Sequence, residues 1–491
     1  MNDTEGTPGS VAAAATEVMP AVVGAAPPAA YEASLSRSLG VGGNVLITLS
    51  SISPASSVFV LGGAALVTFG TGVIWGFLIA GIVSILVALC YAELASAHPV
   101  AGGDYALVSR TLGPAFGIAT FAISLLSLPL IVAVFALGVA DYLGVAISGL
   151  SPEQTALAVV VATTVISCFN IRTNAWLTGV FLFIEMAVLA LLCVLGLVHM
   201  QHPITSLFDP QMLDTTTGHM APLAITGLVL AITQGIFGYN GFGGSVYFAE
   251  ETKNARQTIA KAVLWSTVVT ILAELLPLAA VVLGATSQEK LFGSDLPIEA
   301  FLAERAGHAL TIIVLVAVAF AIINAIIAIS LQSGRLLYSA ARDRALPEAL
   351  SIQLRKVSTK GKVPVIATAV MGAFALLACL VPMDVLLTAT GSTLTFSYLF
   401  IALAAIAHRR GKGRVAGGYT MPWWPLAPVV TIIAIGMIFV VTLTDPTQWL
   451  SLGISFIFVA AGFAYYYLYL RPRKGTHLLL LDAVVEEETN A

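Results

Sequence analysis

Two carboxylic acids stand where acids are costly. Glu185 lies in the run FLFIEMAVLALL and Glu274 in the run TILAELLPLAA, both otherwise apolar. Desolvation disfavours an ionised carboxylate, so the chemistry open to each is to take up and release a proton. The plainer reading is a permanently neutral acid that hydrogen-bonds nearby backbone. Two other stretches offer chemistry without charge. Ser53-Pro54, inside Ser50–Ser57, reads as an N-cap followed by proline at the first helical position. A helix that starts within an apolar run presents the N–H groups of Ala55, Ser56 and Ser57 at the positive end of its dipole, which suits a carboxylate. Gly235–Gly244 is too rich in glycine for a continuous helix. A helix ending there would leave carbonyls around Ile236 and Phe237 to suit an ammonium group. A zwitterion between the two breaks would satisfy both.

Several side chains could support such a site. Ser53 is expected to cap the break, and Ser56 and Ser57 either cap it or touch the bound molecule. Phe237, Tyr239 and Phe242 surround the second break, as packing or as contacts. The ring of Phe237, between flanking glycines, is the one best placed to meet an ammonium face-on. No nucleophile–base pair or metal cluster with usable spacing accompanies them, and the seven histidines are scattered. Cys90, Cys168, Cys193 and Cys379 lie in apolar runs and read as buried thiols. Catalytic residues, metal, cofactor and nucleic acid are therefore not expected. An ion channel is a poorer reading than a carrier, because no repeated filter stretch is present.

The elements that hold these residues follow from composition. Hydrophobic residues make up 58% of the 491 and charged residues 10%, against roughly 25% charged in a soluble domain. Runs long enough to cross a bilayer recur throughout. They predict an all-α integral membrane protein with twelve spans, near 42–66, 72–97, 113–140, 153–170, 173–198, 221–249, 260–284, 308–337, 363–382, 384–407, 425–443 and 448–470. Residues 1–36 contain no Lys or Arg and read as a disordered tail rather than a signal peptide. With an intracellular N-terminus, all of the 22 basic residues except Lys290 and Arg305 fall in the cytoplasm. That asymmetry predicts cytoplasmic termini and a multi-pass protein of the cell membrane. Two interrupted spans, five apart, each beginning a block of five, fit an inverted-repeat transporter better than a single tolerated kink.

Other residues carry a resemblance. Tyr91-Ala92-Glu93-Leu94-Ala95 and Pro99-Val100-Ala101-Gly102-Gly103-Asp104-Tyr105 follow the second span. Asn170 precedes the fifth, Glu250-Glu251-Thr252-Lys253-Asn254 follows the sixth, and Gly334-Arg335 through Ala341-Arg342-Asp343-Arg344-Ala345-Leu346-Pro347 closes the eighth. Together, in this order, they are similar to the signatures of the amino acid–polyamine–organocation superfamily of permeases. The resemblance implies a ten-helix core of two inverted five-helix repeats (37–408), two added helices (409–470) and tails at 1–36 and 471–491. It also implies substrate at the midplane between broken helices one and six. The function it implies is secondary transport of amino acids or related amines by alternating access, as symport or antiport, with a proton as a possible partner. A diamine or polyamine substrate is the alternative, for which Glu185 or Glu274 would supply the second negative group. The chain departs from the family where Ala55-Ser56-Ser57 replaces Gly-Ser-Gly and where Ala255 and Ala260 replace prolines. Glu185 stands nearest the lysine that in many members substitutes for a sodium ion. Arg335, near the end of helix eight, is expected to snorkel or to pair with a loop acid.

The charge asymmetry is open to direct test. In a cysteine-free variant, Ser358→Cys and Lys290→Cys should react with a membrane-impermeant thiol reagent from opposite sides of the bilayer. Equal labelling from outside would overturn the map.

Overall fold

Lipid offers backbone groups no partner, and a helix closes its hydrogen bonds within one segment. The computed structural model describes residues 39–147, 149–169, 171–359, 363–411, 418–473, 475–478 and 480, without the side chains of 171–178. Residues 1–36, Arg37, Asn170, Lys360, Lys362, Lys412, Arg414, Lys474 and most of the expected tail at 471–491 lie outside the described residues.

The first crossing consists of α1 (Val41–Ile52), α2 (Pro54–Ser56), a π-helical stretch (Ser57–Gly62) and α3 (Gly63–Phe69). The second is α4 (Gly72–Ala97), from which a short α5 (Gly103–Thr111) leads to the third, α6 (Pro114–Ala146). The fourth and fifth are α7 (Pro152–Ser167) and α8 (Ile171–Val198). A hairpin of β1 (Gln211–Asp214) and β2 (His219–Pro222) precedes the sixth, which is split into α9 (Ile225–Gly238) and α10 (Gly244–Tyr247). The seventh, α11 (Ala255–Gly284), is followed by the short α12 (Gln288–Phe292) and α13 (Pro297–Ala306), then by the eighth, α14 (His308–Arg342). After α15 (Glu348–Leu354) come α16 (Val365–Ala378), α17 (Met383–Gly411), α18 (Leu426–Thr444) and α19 (Trp449–Tyr465).

Among the described residues, nine helical stretches are long and apolar enough to cross a membrane. The shorter α7, α9 and α16 bring the crossings to the twelve expected. The sixth begins later than the expected 221, because residues 211–222 form the hairpin instead. Its turn is set locally: Asp214 Oδ1 accepts the Thr216 N–H at 2.8 Å, and Gly218 has φ +72°.

The packing has a five-span period. α1 packs on α11 as α9 packs on α4, and α6 on α17 as α14 on α8. The contact of α7 with α14 is matched by that of α16 with α6, and the contact of α8 with α11 by that of α17 with α4. Each pair maps onto the other when the first five spans are exchanged with the next five. Five is odd, so the second block enters the membrane from the opposite side, as the inverted-repeat architecture requires.

Both ends of the described chain reach one face. The Leu39 N–H donates to the Glu251 carbonyl at 3.0 Å, and the Lys253 N–H donates to the Leu39 carbonyl at 2.8 Å. The Leu478 N–H donates to the Arg344 carbonyl at 3.1 Å. At the centre the two breaks touch. Gly241 has φ +123°, and a Cβ there would lie 2.7 Å from Ile52 Cγ1 and 3.2 Å from Ile52 Cα, at the end of α1. Both facts demand glycine. Gly241→Ala should therefore lose about 1–3 kcal/mol of stability and lower the thermal midpoint in detergent. Gly436→Ala, with nothing within 4 Å, should not. Equal midpoints would show that the turn tolerates a side chain.

Candidate functional site

The first break is one residue serving two helices. Ser53 has φ 50° and ψ 78°, and its N–H closes α1 on the Leu49 carbonyl at 2.8 Å while Pro54 opens α2. An N-cap side chain works from extended backbone. In the left-handed conformation Ser53 makes no side-chain cap, which corrects the expectation from sequence. Its hydroxyl instead lies 2.5 Å from that of Ser56. Ser57 turns to the other break, donating to the Gly238 carbonyl at 2.9 Å. The carbonyl of Phe237 accepts the Asn240 N–H at 3.0 Å. Of the carbonyls expected to be free for an ammonium, that of Phe237 is thus engaged within the turn. Downstream, Gln234 Nε2 donates to the Leu61 carbonyl in the π-helical stretch at 2.9 Å.

The two intramembrane acids flank this unit. Glu185 of α8 is fully buried within reach of the Ser53 hydroxyl and the Ala55 N–H, and among the described residues neither oxygen closes a full hydrogen bond. Glu274 of α11, also fully buried, sits within reach of the Ser57 hydroxyl in the same way. A Cβ on Gly238 would lie 3.1 Å from Glu274 Oε2. Tyr239 shares this pocket of protein: its hydroxyl is buried, without a partner among the described residues, and its ring meets Phe77 edge-on at 5.5 Å.

Two contiguous cavities open on the opposite flank. The smaller lies between Ser51 and Ile52 of the first span and Phe237, Gly238 and Asn240 of the sixth. The larger shares Asn240, Gly241 and Gln332 with it and is also lined by Tyr91, Asp104, Phe242, Tyr247 and Tyr398. Of the residues expected to touch substrate, Phe237 and Phe242 line these cavities. Ser53, Ala55, Ser56, Ser57, Ile236 and Tyr239 do not, and lie with the acids behind the breaks.

Sequence reasoning passed over Asn240, Gln332 and Asp104. Asn240 sits within the glycine stretch that was singled out. Gln332 is a neutral polar residue in an apolar helix, 4% exposed with Nε2 unpartnered, a signal that a search for charges alone misses. Asp104 sits between spans inside a signature segment. Burial pushes its carboxyl up to about 6, while the Tyr91 hydroxyl, donating to Oδ1 at 2.7 Å, pulls the other way.

The remaining signature residues meet at the face that holds both chain ends. Arg335, 1% exposed, donates from Nε to Glu251 Oε1 at 2.8 Å, with Nη2 2.7 Å from the same oxygen, so it pairs rather than snorkels. Arg342 pairs with Glu250 and, at 3.1 Å, with Asp343. Glu250 also accepts the Ala101 N–H at 3.1 Å, and Ser339 donates to the Ala101 carbonyl at 2.8 Å. Tyr105 donates to Asp343 at 3.2 Å. Arg409 grips both oxygens of Glu93 at 2.6 and 2.7 Å and donates to the Met421 carbonyl at 3.0 Å. Segments far apart in sequence are locked together by buried charge.

A family model described as amino acid permease matches residues 37–466. A branched-chain amino acid permease of Bacillus subtilis is 25% identical over 462 residues, covering 90% of this chain and 94% of its own length. A chloroplastic cationic amino acid transporter of Arabidopsis thaliana is 26% identical over 440 residues, 85% of this chain and 72% of its own. A branched-chain amino acid permease of Lactococcus lactis is 25% identical over 446 residues, 86% of this chain and 92% of its own.

Removing one member of a buried pair strands the other charge. Glu251→Gln should cost about 3–5 kcal/mol, and the double variant Arg335→Met/Glu251→Leu should recover most of it. Thermal unfolding of the three proteins checks this. A double variant no more stable than the single one would show that Arg335 is held by contacts other than this charge pair.

Proposed function

Because this chain belongs to the amino acid permease family, and so is a multi-pass membrane transporter of amino acids or related amines, we propose that it works by alternating access and is coupled to protons through Glu185. One observation carries this reading: a fully buried carboxyl, with no ion-pair partner among the described residues, set against Ser53 and Ala55 at the break in the first span. A charge appearing there moves the conformational balance only if the two states hold it differently. A residue pressed against the hinge of a broken helix meets that condition. Glu274, beside Ser57 on the same unit, is the second proton-coupling candidate.

The relatives are named for branched-chain and for cationic amino acids, and the group common to both is the α-amino acid. We assign that group to the smaller cavity, among Ser51, Phe237, Asn240 and Gln332. The serines behind the break then serve the proton rather than the substrate. Residues 37–408 form the transport core and 409–470 brace it. The face with the ion pairs and both chain ends is cytoplasmic at the cell membrane, a reading supported by the basic residues outside Lys290 and Arg305.

Glu185→Gln keeps shape and hydrogen-bonding capacity but cannot titrate. In proteoliposomes it should abolish accumulation driven by a proton gradient and flatten the pH dependence, while exchange at equal concentrations survives. Wild-type accumulation in this variant, with loss in Glu274→Gln, would move the proton to the second acid. Wild-type behaviour in both would end the coupling proposal.

A further inference from the structure

One acid lines the larger cavity. Asp104 is 9% exposed, and among the described residues no Lys, Arg or His pairs with it. The groups that face it are phenols: Tyr91 of α4, Tyr247 of α10 and Tyr398 of α17. An acid in the first turn of a helix commonly complements the dipole from the surface. That role needs no burial in a cavity. A buried carboxylate without a cation is costly, and the energetic gap is closed by a proton or by a cation that comes and goes.

The walls favour an organic cation. Tyr91 and Phe242 meet edge-on at 5.7 Å, Phe242 and Tyr398 lie 5.7 Å apart, and Tyr91 and Tyr398 are 6.5 Å apart. Aromatic rings clustered beside one carboxylate are a setting in which proteins hold ammonium and guanidinium groups. Gln332 borders both cavities, and its Nε2 has no acceptor among the described residues. The lining thus offers an acceptor to a cation at Asp104 and a donor to an anion at Gln332.

We propose that the two cavities together bind one elongated amino acid with a cationic side chain. Its α-carboxylate accepts from Gln332 at the breaks, and its ammonium or guanidinium group binds Asp104 within the aromatic cluster. This rests on the assignment of the α-amino acid to the smaller cavity. It supplies the second negative group that a cationic substrate needs, and places it outside the membrane-spanning helices rather than at Glu185 or Glu274. With its carboxyl near 6, Asp104 is ionised above that pH and takes a proton below it. Cation affinity therefore gains a component that rises as pH increases through about 6, which a neutral amino acid lacks.

The experiment is a thermal-shift titration of purified full-length protein with arginine, leucine and 1,4-diaminobutane, in wild type, Asp104→Asn, Asp104→Glu and Gln332→Leu. Arginine should stabilise the wild type. Its affinity should fall roughly tenfold or more in Asp104→Asn, the loss of one charge-assisted hydrogen bond, and largely return in Asp104→Glu. Leucine affinity, however weak, should be the same in all Asp104 variants. Gln332→Leu should weaken arginine and leave the diamine unchanged. Stabilisation by leucine but not arginine would overturn the cation subsite and leave the α-amino-acid assignment standing. Binding of the diamine but not arginine would overturn the amino-acid substrate. Stabilisation by none of the three would remove the assignment and the subsite together. Should Asp104→Asn not fold, a fall in arginine affinity relative to leucine affinity in wild type between pH 7 and pH 5 decides the same point, and an unchanged ratio overturns the subsite.

Discussion

Hydrocarbon supplies no hydrogen bonds, so a helix broken in mid-membrane must find partners for its freed ends within the protein. Nearly every central feature of this structure answers that demand. Ser57 donates across to the Gly238 carbonyl, joining the first break to the sixth. Gln234 reaches the carbonyl of Leu61 in the π-helical stretch. Gly241, without a side chain, lets the turn of one break lie against Ile52 at the end of the other. A single break would be an expense with no offset. Two breaks brought together offset each other, and a five-span repeat with opposite orientations is what brings them together.

The same solvent constraint sorts the charges. Arg335 and Arg342 are buried and Arg409 is partly so, and each faces its own carboxylate at Glu251, Glu250 or Glu93. These pairs join α4, α14, α17 and the segment after α10 at one face. Glu185, Glu274 and Asp104 are buried as well, and among the described residues no base forms an ion pair with them. A paired charge holds a structure in place. The proposed roles of the other three, a proton at the breaks and a cation at Asp104, draw on that difference.

The sequence made the spans legible because hydropathy is a local property, and the breaks because Ser53-Pro54 and the Gly235–Gly244 stretch are local punctuation. The ends of the elements were less so: nothing in the apolar pattern near residue 221 announces a hairpin closed by Asp214 and Gly218. Roles at the site were harder still. Ser53 was read as a cap because the Ser-Pro pair shows a helix beginning; the left-handed turn that ends the preceding helix is a property of the backbone, invisible in composition. Tyr91, Asp104, Gln332 and Tyr398 come from four different helices, and only the packing shows that they border one space. Spacing along a helix says which residues share a face, and it is silent on what that face will meet.

The bridge at Leu39 ties the start of the first span to the segment that follows the sixth, through two backbone bonds and the Asn44–Thr252 contact at 2.8 Å. Neither half-helix can swing without dragging the other. The two half-helices are therefore yoked at the ion-paired face as well as at the breaks, so a tilt of one strains the Leu39 bonds and the Asn44–Thr252 contact unless the other follows.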